Sequence, residues 1–176
     1  MKLPERRKHG HSIFILLIPG AAIALASTNC FALKSDHSQP IHIEADSVNV
    51  DEKNGTSFYQ GNVQLSQGSM KVSADTIRLT TQAQKVHLIN AKGTPAHFEQ
   101  LPDGETDTIK ATAEKIDYDA VEGQLVLKTN AQLVQGTNEF SSETIRYATQ
   151  ESQVIATSEG DTGGRVRAVI NPEKIQ

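Results

Sequence analysis

Four acidic residues recur at matched places in this chain, and paired carboxylates are where hydrolytic chemistry would first be sought. Each sits in the same short element: Ala or Ser, an acid, one further residue, then an apolar residue. The element occurs as Ala45-Asp46-Ser47-Val48, Ala74-Asp75-Thr76-Ile77, Ala113-Glu114-Lys115-Ile116 and Ser142-Glu143-Thr144-Ile145, at spacings of 29, 39 and 29 residues. Two carboxylates flanking a glycosidic bond could cleave a glycan. That chemistry needs one unequal pair, and four equivalent positions do not supply it. Recurrence favours a structural role, in which each acid caps a bend by accepting from nearby backbone N–H groups. A secreted glycan-processing enzyme using these acids is the alternative that this reading sets aside.

The other reactive side chains form no constellation. His37, His42, His87 and His97 lie beyond the N-terminal stretch, and His37-x₄-His42 has no third ligand at a suitable spacing. No metal site is expected. No serine stands in a nucleophile-elbow motif, and no glycine-rich loop precedes a helix. Arg78 and Arg146 occupy matched positions just past two of the acids. They read as surface residues or as partners of acids on neighbouring strands. The expectation is a protein that is not an enzyme, with no catalytic residue, cofactor or metal.

The elements that carry these residues are strands. Apolar and polar residues alternate at period two through Ile41, Ile43 and Ala45, through Met70, Val72 and Ala74, and through Ile109, Ala111 and Ala113. Turn signals fall at Asn54-Gly55, Gln67-Gly68, Gly93-Thr94-Pro95, Pro102-Asp103-Gly104, Glu122-Gly123, Gln135-Gly136 and Gly163-Gly164. No window past the N-terminal stretch carries a helical apolar stripe. Residues 41–79 and 109–147 also align as two copies of one pattern, 68 residues apart, with 13 of 39 positions identical. The fold expected is all-β and antiparallel, built from internal strand repeats.

Each acid marks a slip in phase. The apolar face ends at Ala or Ser, and the next apolar residue comes three positions later. An odd step turns a strand's side chains to the other face, and a bulge or bend absorbs it. The chain is therefore expected to bend at these four corners in a flattened sandwich or roll, keeping apolar residues inside. The first strand, from Ile41, and the last, with Val166, Ala168 and Ile170, are the candidate edges. If both are free, copies could join end to end in a contact that extends rather than closes.

The ends set the compartment. Lys2, Arg6, Arg7 and Lys8 precede a largely apolar stretch from Ile13 to Ala26, which reads as a secretory signal. It is short for a bilayer span of about 20 residues. Cleavage is expected after Ala32, with Ala26 as the other readable site. Residues 33–176 then form one domain of 144 residues without cysteine, since Cys30 is removed. This part carries 13 Lys and Arg against 20 Asp and Glu, a formal charge of −7. Such a domain, lacking a basic run, is a poor nucleic-acid binder. A bacterial periplasm suits these features. An uncleaved N-terminus would instead make the chain a membrane-anchored scaffold of the same fold.

These residues resemble the OstA-like family of periplasmic lipopolysaccharide-transport proteins. The resemblance rests on Gln39-Pro40-Ile41-His42-Ile43-Glu44-Ala45-Asp46, Gly61-Asn62-Val63 with Gln67-Gly68, Ala74-Asp75, Gly93-Thr94-Pro95-Ala96-His97-Phe98, and Gln135 followed by Thr144-Ile145-Arg146-Tyr147. It implies a twisted, partly open β-jellyroll that carries lipopolysaccharide across the periplasm. It implies lipid-facing roles for Ile41, Ile43, Phe98 and Tyr118. It also implies end-to-end self-association and two partners: an inner-membrane-anchored component of similar fold and the N-terminal domain of the outer-membrane translocon. The short tail after Ile170 departs from the family's pattern and bears on self-assembly.

Overall fold

The structure, a computed structural model, describes residues 36–158 and 164–171. The expected signal segment and both its cut sites lie outside the described residues, as do Gly163 of one expected turn and the tail after residue 171. A 3-10 turn, Asp36–Ser38, leads into β1 (Ile41–Glu44) and β2 (Ser47–Asp51). Then follow β3 (Thr56–Gln67), β4 (Met70–Gln82), β5 (Lys85–Gln100), β6 (Ile109–Asp119), β7 (Gln124–Gln135), β8 (Asn138–Ala148), β9 (Gln153–Thr157) and β10 (Arg167–Val169). All pair antiparallel in one sheet. From β3 to β8 every strand lies beside its neighbour in sequence. β1 and β2 share β3, and β9 and β10 share β8, so each pair forms one broken edge.

A crease crosses the sheet. Register shifts fall at Gln60/Val63, Ser73/Thr76, Lys92/Ala96, Thr112/Lys115 and Lys128/Ala131. The first edge breaks at the same level, between Glu44 and Ser47. The expected phase slips are present: buried Val72 is followed by buried Ile77 and Leu79, and buried Ala113 by buried Ile116 and Tyr118. Each strand thus turns at the crease, and the sheet folds into two layers with their inward faces together. One layer carries β1, β10 and the halves of β3 to β8 that pair with them. The other carries β2, β9 and the remaining halves.

The strands between the acid corners bend by a different device. On β3, Gly61 and Asn62 both have positive φ, 85° and 45°; on β7, Thr129 and Asn130 do, at 66° and 55°. These positions are 68 residues apart, so the repeat extends to the bulges. A Cβ on Gly61 would collide with the side chain of Asp46. The two asparagines then reach the acids: Asn62 Nδ2 donates to Asp46 Oδ2 at 3.3 Å, and Asn130 Nδ2 to Glu114 Oε1 at 2.9 Å. The acids' partners are therefore side-chain amides rather than the backbone groups expected. Asp75 and Glu143 accept no side-chain hydrogen bond among the described residues.

One turn expectation needs correction, and one turn was not expected. Gly93-Thr94-Pro95 is not a turn but the bulge inside the continuous strand β5. The β4–β5 hairpin turns instead at Ala83-Gln84, with φ of 48° and 63°, where neither residue type signals a turn. By contrast Gly55, Gly68, Gly123 and Gly136 all hold positive φ in the expected hairpins.

Candidate functional site: the inward faces and their two edges

Register and alternation place apolar side chains in rows that cross the interior from edge to edge. One row runs Ile43, Leu65, Val72, Phe98, Ala111, Leu133, Phe140, Ala168. The facing layer contributes Val50, Leu79, Ile89, Tyr118, Leu125, Tyr147 and Val154, with the polar Ser57 between Val50 and Leu79. The rows meet in the middle, where the Phe98 and Tyr118 rings lie 5.2 Å apart at 50°. Both are buried, at 2% and 1% exposure. In this state they are packed core, and no open channel passes between the layers there.

The edges differ from the middle. Ile41 and Ile43 are only partly buried against the core. Val48 and Val50, on the inward face of β2, are 56% and 57% exposed. At the far edge Val166, Ala168 and Ile170 are all exposed, Ile170 at 68%. The uncovered inward residues thus sit in opposite layers at the two ends: on β2 at the first edge, on and beside β10 at the last. Val48 and Val50 were missed in the sequence, although Val48-x-Val50 alternates in phase with the corner at Asp46.

The polar candidates are dispersed. Arg78 lies over the ring of its cross-strand neighbour Phe58, 5.6 Å from the centroid, rather than against an acid. Lys128 and Asp117, at 3.0 Å, are the ion pair among the described residues. Among these residues no group of three or more His, Cys, Asp and Glu is placed to hold a metal. A recess of about 430 Å³ lies on the outward face of the first layer, bordered by His42, Glu44, Lys71, His97, Glu99 and Lys110. Its charges alternate in sign, and Leu65, Val72, Phe98 and Ala111 of the apolar row contribute to its floor.

At the mouth opposite the crease, glutamines alternate with the apolar Ile41, Met70 and Ile109. Gln67, Gln100 and Gln135 point inward from β3, β5 and β7 at one level of the register. Gln135 Nε2 donates to the Tyr147 hydroxyl of the facing layer at 3.4 Å. Burial pushes the Tyr118 and Tyr147 hydroxyls above the ordinary tyrosine range. The 3-10 turn closes over this level. Asp36 accepts from the Ser69 amide and hydroxyl, both at 2.6 Å, and from Gln100 Nε2 at 3.1 Å, while Gln67 Nε2 donates to the Gln39 carbonyl at 3.0 Å.

This chain has known counterparts in sequence and in fold. Residues 42–153 match the family described as LptA/(LptD N-terminal domain) LPS transport protein. The chain belongs to this family. Lipopolysaccharide export system protein LptH of Pseudomonas aeruginosa is 37% identical over 164 residues, covering 90% of this chain and 94% of that protein. Lipopolysaccharide export system protein LptA of Escherichia coli is 32% identical over 162 residues, covering 91% and 86%. A crystal structure of the Pseudomonas protein, described as the LptA homologous periplasmic component of the lipopolysaccharide transport device, aligns with a TM-score of 0.71. It shares 33% identity over 79% of this chain and all of that one. Within this transport family, the twisted antiparallel fold read from the sequence is the fold present. The family match spans β1 to the start of β9, so the Val166–Ile170 edge lies beyond it.

Proposed function

We propose that this chain is a periplasmic carrier of lipopolysaccharide, one segment of a bridge between the inner and outer membranes. The observation that carries this reading is the pair of uncovered edges. Apolar rows that continue to both ends of a sheet, with their exposed residues in opposite layers, suit head-to-tail stacking of like units. In such a stack β10 of one unit would run beside β1 of the next, and the apolar rows would continue across the joint. Acyl chains need such a path, because each methylene left in water costs about 0.8 kcal/mol.

Ile41 and Ile43, at the partly open edge, are the first lipid contacts in this reading. Phe98 and Tyr118 become contacts only where the layers part. The end partners are an inner-membrane-anchored component of similar fold and the N-terminal domain of the outer-membrane translocon. The carrier performs no catalysis, and export removes residues 1–32.

Photoreactive residues at 41, 43, 98 and 118 test the lipid path. Crosslinks to lipopolysaccharide strongest at 41 and 43 are expected. Their absence at all four positions would sink the carrier reading. Mass spectrometry of the periplasmic form tests the export step, with a start at Leu33 expected. An intact N-terminus would point to an anchored scaffold.

A further inference from the structure

The row of glutamines at the mouth has polar capacity that the protein does not use. Gln67 and Gln100 are 4% and 6% exposed, yet Oε1 of each has no hydrogen-bond partner. A buried amide oxygen left unpaired is costly, on the order of 1–3 kcal/mol. Gln100 Nε2 is engaged by Asp36, so the orphaned oxygen cannot be relieved by rotating the amide without breaking that bond. Gln100 also borders a recess of about 220 Å³ between the layers, with Asp36, Asp103, Tyr118, Gly123 and Thr149 around it. His37 borders it too, no Lys or Arg does, and two of its groups are carboxylates. With acceptors in the majority, such a recess favours hydrogen-bond donors.

We propose that this recess is a headgroup subsite, in which Gln100 Oε1 accepts from an amide N–H or hydroxyl of an acylated amino sugar whose chains lie between the apolar rows. The assignment rests on the carrier reading above and adds to it the place where sugar meets chain. Its position fits. Phe98, two residues inward on the same strand face, belongs to the apolar row, and Gln100 lies one step nearer the mouth, paired with the buried Ile109. A ligand with acyl chains alone would leave the oxygen orphaned, whereas an N-acylated sugar would satisfy it. The subsite therefore distinguishes lipids by their donors rather than by their chains.

The test compares two probes in the full mature chain: lipopolysaccharide, and a diacyl phosphatidylcholine, which has acyl chains and a phosphate but no N–H or O–H donor. Gln100→Met keeps the side-chain length and removes both the acceptor and the donor to Asp36. It is expected to weaken lipopolysaccharide binding about tenfold and phosphatidylcholine binding less than twofold. Gln100→Asn, which withdraws the carbonyl by one methylene and keeps the amide, is expected to show the same selective loss. It serves if the methionine variant does not fold. Equal losses for both lipids, or unchanged lipopolysaccharide binding, would overturn the subsite while leaving the carrier reading standing. Wild-type protein that binds neither probe would overturn the carrier reading itself.

Discussion

The middle of the sheet and its edges use the same residue types to opposite ends. In the middle Val72, Leu79, Ile89 and Leu133 are buried against the facing layer. At the edges Val48 and Val50, on the inward face of β2, and Val166 and Ile170, flanking β10, stay exposed. The difference is one of neighbours. An interior strand has a paired strand on each side and a facing layer, whereas an edge strand lacks one of these. Exposure of apolar edge residues is ordinarily a liability that proteins blunt with charge or proline. Here β2 keeps two valines at its inward positions.

The sharpest way to break this comparison is to cut into the middle. Phe98→Ala should cost about 3–5 kcal/mol, seen as a lowered midpoint in urea unfolding. A loss under about 1 kcal/mol would mean the middle is as loosely held as the edges. For the same reason Phe98→Glu reports on folding before it reports on lipid.

Alkaline titration probes the middle without mutation. Burial holds the neutral forms of Tyr118 and Tyr147, so their folded-state values lie above the ordinary 10.0. An unfolded chain ionises first. This contribution to stability is therefore whole below pH 10 and is lost as pH rises through the folded values. Urea midpoints should fall with rising pH in that range. Replacing both tyrosines with Phe should flatten the fall; an unchanged slope would show that their hydroxyls reach water freely.

At the crease, Gly61→Ala should cost upwards of about 1 kcal/mol, because φ is 85° and the new Cβ meets Asp46. Unchanged thermal stability would mean the bulge tolerates a side chain there. The smallest effect on stability is expected at the edge. Val48→Asp with Val50→Asp should change unfolding free energy by less than about 0.5 kcal/mol, the range of ordinary surface substitutions. In light scattering of concentrated protein the same variant should remain a monomer where the parent associates. If it associates equally well, the β2 valines take no part in joining copies.

The sequence carried the strands and their bends in unequal measure. Period-two alternation and the odd steps after Ala74 and Ala113 made the folded sheet readable, because burial imposes them directly. The partner bends were hidden. Thr129 holds a positive φ that a β-branched residue rarely adopts, so its residue type argues against the conformation it has. Ala83-Gln84 turns a hairpin because long paired strands on both sides leave it no choice. Gly93-Thr94-Pro95 has turn chemistry but sits where the crease needs an irregular strand. Of the candidate site, the resemblance singled out Ile41 and Ile43, which lie partly buried at the first edge. The state of Phe98 and Tyr118, and the glutamine row at the mouth, depend on which strands face each other, and one strand's sequence does not contain that.

The strictly sequential pairing from β3 to β8 has a consequence for how such a molecule can change in size. No strand threads between two others, and one 68-residue repeat corresponds to four strands with their share of the crease. A whole repeat could be added or deleted with each remaining strand still beside a strand of the equivalent place in the repeat. At about 4.8 Å per strand, the protein's span would then lengthen or shorten in steps of roughly 19 Å, with its cross-section unchanged.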